Sequence, residues 1–113
     1  MKIENSIAQM KKGVLDLCIL SIASKEAVYP SDIIQKLKTA DLIVVEGTLY
    51  PILTRLKNFG LLEYHWKESN AGPPRKYFTI TDSGKEALQI LSTSWMQFVQ
   101  GVNQSLQNKN DHE

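Results

Sequence analysis

The chain has 113 residues, 42% of them hydrophobic, and a formal net charge of +1, which excludes the highly charged disordered class and fits one globular domain. One cysteine, Cys18, excludes an intrachain disulfide and a thiolate metal cluster. No run of about eighteen apolar residues is present to cross a bilayer and the N-terminus lacks a signal-like apolar core, so a cytoplasmic protein is expected.

Over 6–22, Ile7, Met10, Val14, Leu17, Cys18 and Ile22 recur at the three-and-four spacing of one helical face, which predicts a first helix with Cys18 as a small buried hydrophobe. Pro30, Ser31 and Asp32 precede Ile33, Ile34 and Leu37, the start of a short second helix. A third helix over 46–59 carries Leu49, Ile52, Leu53 and Leu56 on one side. Pro51 is expected in its first turn and Gly60 ends it as a left-handed cap. Leu62, Tyr64 and Trp66 alternate with Glu63, His65 and Lys67 as in a strand, and 76–80 forms a second. The turn formers of 68–75 close a hairpin with a protruding tip.

The last helix opens at Thr81 or Ser83 and carries Leu88, Leu91, Trp95, Phe98 and Val102 in steps of three and four. This is an a/d seam for packing along another helix, a dimer interface. The polar tail 108–113 is expected to be flexible.

Three helices, a two-stranded hairpin and a long helix predict a mainly α chain with a small β-hairpin: a winged helix-turn-helix over 1–80, a C-terminal dimerisation helix over 81–107 and the tail. The third helix then enters a DNA major groove and presents Thr48, Tyr50, Thr54, Arg55 and Lys57, while Lys67, Arg75 and Lys76 serve the wing. Charge is distributed to suit: residues 1–76 hold eleven Lys/Arg against eight Asp/Glu, and residues 77–113 hold two against four. The pI near 7.8 is modest for a DNA binder. It keeps an alternative open, a winged helix used for protein contact without DNA.

The stretch 47–62, Gly-Thr-Leu-Tyr-Pro-Ile-Leu-Thr-Arg-Leu-Lys-Asn-Phe-Gly-Leu-Leu, resembles the recognition-helix signature of PadR-like repressors, and 72–84 is similar to that family's wing and helix entry. The likeness runs from about Lys11 to about Val102, with Pro30-Ser31 standing where a Gly-Tyr-like pair is common. It implies a homodimer built from the C-terminal helices and the start of the first helix, and a repressor that leaves its operator when a small molecule binds. It also implies DNA contacts at Thr48, Tyr50, Arg55, Arg75 and Lys76, with Leu49 and Leu56 in the core.

The chain resembles the short, multidrug-sensing subgroup, in which a tryptophan faces its symmetry mate across a dimer pore. Trp95 falls there, and Asp16 would draw a planar aromatic cation to it. The other reading is that Trp95 simply fills the seam. Catalysis finds poor material in scattered serines with His65 on a strand and His112 in the tail, so no enzyme, cofactor or metal is expected.

Overall fold

The computed structural model describes residues 2–107. Its elements run α1 (Ile3–Lys25), α2 (Pro30–Thr39), α3 (Glu46–Asn58), β1 (Leu62–Ser69), β2 (Gly72–Ile80) and α4 (Asp82–Leu106). Four helices and one antiparallel hairpin make the expected winged helix with a long last helix. The expected flexible tail, 108–113, lies outside the described residues. No described helix is long and apolar enough to cross a membrane.

The core is where the apolar faces of the first three helices meet the base of the hairpin. Leu15, Ile19, Leu20 and Ala23 of α1 pack with Ile33 and Leu37 of α2 and with Leu49, Ile52, Leu53 and Leu56 of α3. Val28, Val44, Leu62 and Phe78 complete it. Cys18 is half-buried at its margin, and that burial pushes its thiol pKa up.

Helices α2 and α3 end alike, with paired bonds back into the last turn. The N–H of Leu42 donates to the Leu37 carbonyl and that of Asp41 to Lys38; Leu61 donates to Leu56 and Gly60 to Lys57. Both are Schellman closures, which need a left-handed residue. Gly60 supplies it freely at φ 77°, whereas Asp41 takes φ 62° at a cost of roughly 1 kcal/mol. The polar residue hid this second cap from sequence reading.

Several boundaries differ from expectation for physical reasons. α1 starts three residues earlier, where Ile3 continues the spacing of Ile7, and ends three later, where Ala23 is still packed in the core. The hairpin turn contracts to Asn70-Ala71, and both prolines enter β2. Ser69 pairs with Gly72 and Lys67 with Arg75, so a bulge takes up the extra residue at Pro73-Pro74, where ladder donors are dispensable. Pro51 is the sixth residue of α3, in its second turn; the carbonyl it cannot serve is that of exposed Gly47. Val28 exchanges both backbone bonds with Phe78 as a single bridge on the outer edge of β2, a pairing one residue long with no alternation to reveal it.

α4 begins on a tight junction. The Thr81 hydroxyl accepts from the Gly84 N–H at 2.9 Å and donates to the Gly60 carbonyl at 2.6 Å. A Cβ built on Gly84 would stand 2.1 Å from the Leu61 carbonyl oxygen and 2.6 Å from Ile80 Cγ1. Backbone cannot yield as a side chain can, so Gly84→Ala is expected to cost about 2–3 kcal/mol in urea unfolding. A variant within 0.5 kcal/mol of wild type, by this order-of-magnitude scale, would show that the junction is free to open.

Candidate nucleic-acid interface

The buried leucines of α3 turn its opposite side outward, so Thr48, Tyr50, Thr54, Arg55 and Lys57 are all exposed. Tyr50, Thr54 and Lys57 line a groove of about 170 Å³ against the wing, together with Asn58, Tyr64 and Lys76. Two ammonium groups share one ring there: Lys76 Nζ lies 4.1 Å and Lys57 Nζ 5.6 Å from the Tyr64 centroid. Neither ammonium group is neutralised by the ring, so an anion entering the groove meets positive charge. The groove thus joins hydroxyl donors, an aromatic floor and paired positive charge.

Arg75 and Lys76 line a second cleft, of about 370 Å³, with Tyr29, Pro30, Ser31, Glu46 and Tyr50. Tyr50 and Lys76 line both recesses, which adjoin on the side of the chain where α2, α3 and the hairpin meet. Lys67 sits across the hairpin from Arg75, exposed, and borders a further recess with Ala27, Tyr29, Trp66 and Tyr77. Thr48 is exposed in the first turn of α3, where its N–H donates to the Val45 carbonyl.

Arg55 lines neither recess. Its Nη2 donates to Asp16 Oδ1 on α1 at 2.5 Å, so the sequence's candidate DNA contact and its candidate effector carboxylate form one ion pair. Both side chains are more than a third exposed (46% and 36%), which places the pair among surface bridges of about 0–1 kcal/mol.

Asp16 also borders a groove of about 360 Å³ between α1 and α4, lined by Met10, Val14, Leu17, Leu91, Trp95 and Phe98. Trp95, 42% exposed, closes one side of it and a second groove with Cys18, Ile22 and Met96. The structure thus brings Trp95 and Asp16 to one recess.

The seam residues are unequal. Leu88 packs against the core, whereas Leu91, Trp95, Phe98 and Val102 are exposed in the isolated chain, as are Ile3, Ile7 and Met10 on α1. His65 lies on the hairpin's other face beside Tyr77, its Nε2 3.4 Å from Glu63. Among the described residues no three His, Cys, Asp or Glu side chains converge as a metal site.

Sequence reasoning missed Tyr29, Ser31 and Tyr64. Tyr29 and Ser31 read only as a helix start, and Tyr64 as strand alternation; nothing local says that Arg75 and Lys76 fold back onto them.

The model of the transcriptional regulator PadR-like family matches residues 19–90. Among solved structures, a PadR-like transcription factor from Bacteroides fragilis is 56% identical, with a TM-score of 0.74 over 88% of this chain and 96% of that one. A PadR-like transcriptional regulator from Bacillus cereus is 44% identical, with a TM-score of 0.77 over 88% of this chain and 97% of that one. A PadR family regulator from Eggerthella lenta is 28% identical, with a TM-score of 0.84 over 92% and 91%. A curated relative from Lysinibacillus sphaericus, an uncharacterised protein, is 30% identical over 87 residues, 74% of this chain and 80% of its own.

The exposure of the Arg55–Asp16 pair sets its expected worth. In a double-mutant cycle of Arg55→Ala and Asp16→Ala, urea unfolding should give a coupling energy of at most about 1 kcal/mol, shrinking as salt is raised. A coupling above about 2 kcal/mol, beyond the range of exposed pairs, would mean that the bridge is shielded from solvent.

Proposed function

Because the chain belongs to the PadR-like family of transcriptional regulators, we propose that it is a homodimeric repressor whose 1–80 segment grips operator DNA and whose 81–107 segment, which contains α4, pairs two copies. The observation that carries the reading is the groove in which Tyr50, Thr54, Lys57 and Lys76 converge, with two ammonium groups above Tyr64. In this reading α3 enters the major groove and the wing rides the flanking backbone. Thr48 and Tyr50 reach base edges or phosphate, Thr54 stands beside Lys57, and Lys67, Arg75 and Lys76 serve the wing. Arg55 joins them once Asp16 releases it. A protein with this function works in the cytoplasm.

Dimerisation is supported by what the isolated chain leaves uncovered. α4 buries only Gly84. The radius of gyration, 17.1 Å, exceeds the roughly 13 Å of a compact domain of this length. The exposed apolar side chains of α4 and of the start of α1 make one strip that a second copy can cover.

The groove beside Trp95 is the natural seat for an effector in this scheme. It offers an indole face, apolar walls and the Asp16 carboxylate, which suits a planar aromatic molecule with positive charge. Occupation there acts on the middle of the dimer helix α4 and, through Asp16, on Arg55. Quenching of tryptophan fluorescence is its direct readout.

Two measurements test the scheme. Fluorescence anisotropy with a labelled duplex from upstream of its own gene should give binding that weakens steeply with salt. Lys57→Ala and Lys76→Ala should each weaken it and flatten the log–log salt slope by about one. Salt-insensitive binding of other proteins, with no DNA binding at low salt, would favour the protein-contact alternative. In sedimentation, Leu91→Asp should give monomers, since pairing would bury an uncompensated charge; a dimer as tight as wild type would remove α4 from the interface.

A further inference from the structure

We propose that the cleft joining the start of α2, the start of α3 and β2 seats one backbone phosphate of the DNA duplex. In it, Tyr29 and Ser31 act as positioning residues that hold the Arg75 guanidinium ready for that phosphate. The proposal rests on the DNA-binding reading and adds to it two residues of the α2 entry, outside both the recognition helix and the wing.

The geometry is specific. The Arg75 guanidinium carbon lies 3.7 Å from the centroid of the Tyr29 ring, and Nη2 donates to Ser31 Oγ at 3.3 Å. Tyr29 is itself held: its N–H donates to Asp32 Oδ2 at 3.0 Å, and its ring meets Tyr77 edge to face at 6.2 Å. A free arginine on a hairpin samples many rotamers and loses that freedom when it binds. This one is confined on one face by a ring and at one corner by a hydroxyl.

The donor arithmetic leaves room for an anion. A guanidinium carries five N–H donors in its plane; the stack uses its face and Ser31 takes one. Among the described residues, no carboxylate pairs with Arg75. The remaining fork is the planar arrangement that matches two phosphate oxygens. Lys76 and the exposed Tyr50 line the same cleft. Glu46 lines it too, so the cleft sets two cations against one carboxylate, and its charge favours a single anion on the Arg75 side.

The shared position also assigns different tasks along the wing. Arg75 is folded back onto α2, whereas Lys67, its cross-strand neighbour, makes no ion pair among the described residues. Arg75 therefore fixes how the wing and the helix-turn-helix sit on the backbone, and Lys67 is the cation left to extend outward. A phosphate contact carries no sequence information, so any duplex of sufficient length reports on it.

The test is a salt titration of anisotropy with a labelled 30-base-pair duplex, using the full chain and its Tyr29→Leu, Tyr29→Phe, Ser31→Ala and Arg75→Ala variants. Arg75→Ala should flatten the salt slope by about one. Tyr29→Leu changes no charge, yet should weaken binding roughly two- to fivefold; Tyr29→Phe, which keeps the stacking ring, should restore wild-type affinity. Ser31→Ala should weaken binding less than Tyr29→Leu. In an Arg75→Ala background Tyr29→Leu should add nothing. An equal loss from Tyr29→Leu with and without Arg75 would make its role merely structural and overturn the proposal, as would an unchanged slope in Arg75→Ala. Absence of salt-sensitive binding in the wild-type chain would instead overturn the DNA reading itself, and this one with it.

Discussion

The course of the longest helix is decided where backbone meets backbone. Leu61 leaves α3 through a Schellman closure, and its carbonyl receives the N–H of Thr81 at 3.1 Å. Gly84 rests against the same carbonyl, too close for any Cβ. The Thr81 hydroxyl joins both sides, giving to Gly60 and receiving from Gly84. One node thus ties the end of α3, the two ends of the hairpin and the start of α4. Tilting α4 would pull on the end of α3, a mechanical link that a regulator can use.

Once past Ala87 and Leu88, α4 has no core to cover. Its apolar side chains are spaced for a helix partner, and in one chain alone they face solvent. The core is complete without them: α1, α2, α3 and the base of the hairpin enclose one another, and among the described residues no polar or charged side chain is buried. Stability of the winged part and covering of the α4 apolar face are therefore separate problems.

Electrostatics here work by placement and not by total. A chain of net charge +1 draws little long-range attraction from DNA. Three of its cations are instead mounted on aromatic rings: Lys57 and Lys76 over Tyr64, Arg75 over Tyr29. Aromatic faces hold them without neutralising them, which a carboxylate would do. Arg55 shows the contrast, since Asp16 both fixes it and cancels it.

Local pattern determined most of the architecture. The three-and-four spacings of α1, α3 and α4, the alternation of β1 and the glycine after Phe59 are properties of neighbouring residues, and each element they predict is present. The motif at 47–62 likewise marked the family. What local pattern does not carry is any contact between distant positions. Asp41 can stand in for a capping glycine only because Leu37 and Leu42 pack as that cap closes, and Val28 becomes a strand only because Phe78 lies beside it. Arg55 meets Asp16 across 39 positions and Arg75 meets Ser31 across 44. Such pairings depend on how helices cross and how far the hairpin folds back, and those are settled by the packing of the whole core, not by the spacing of residues along any one segment.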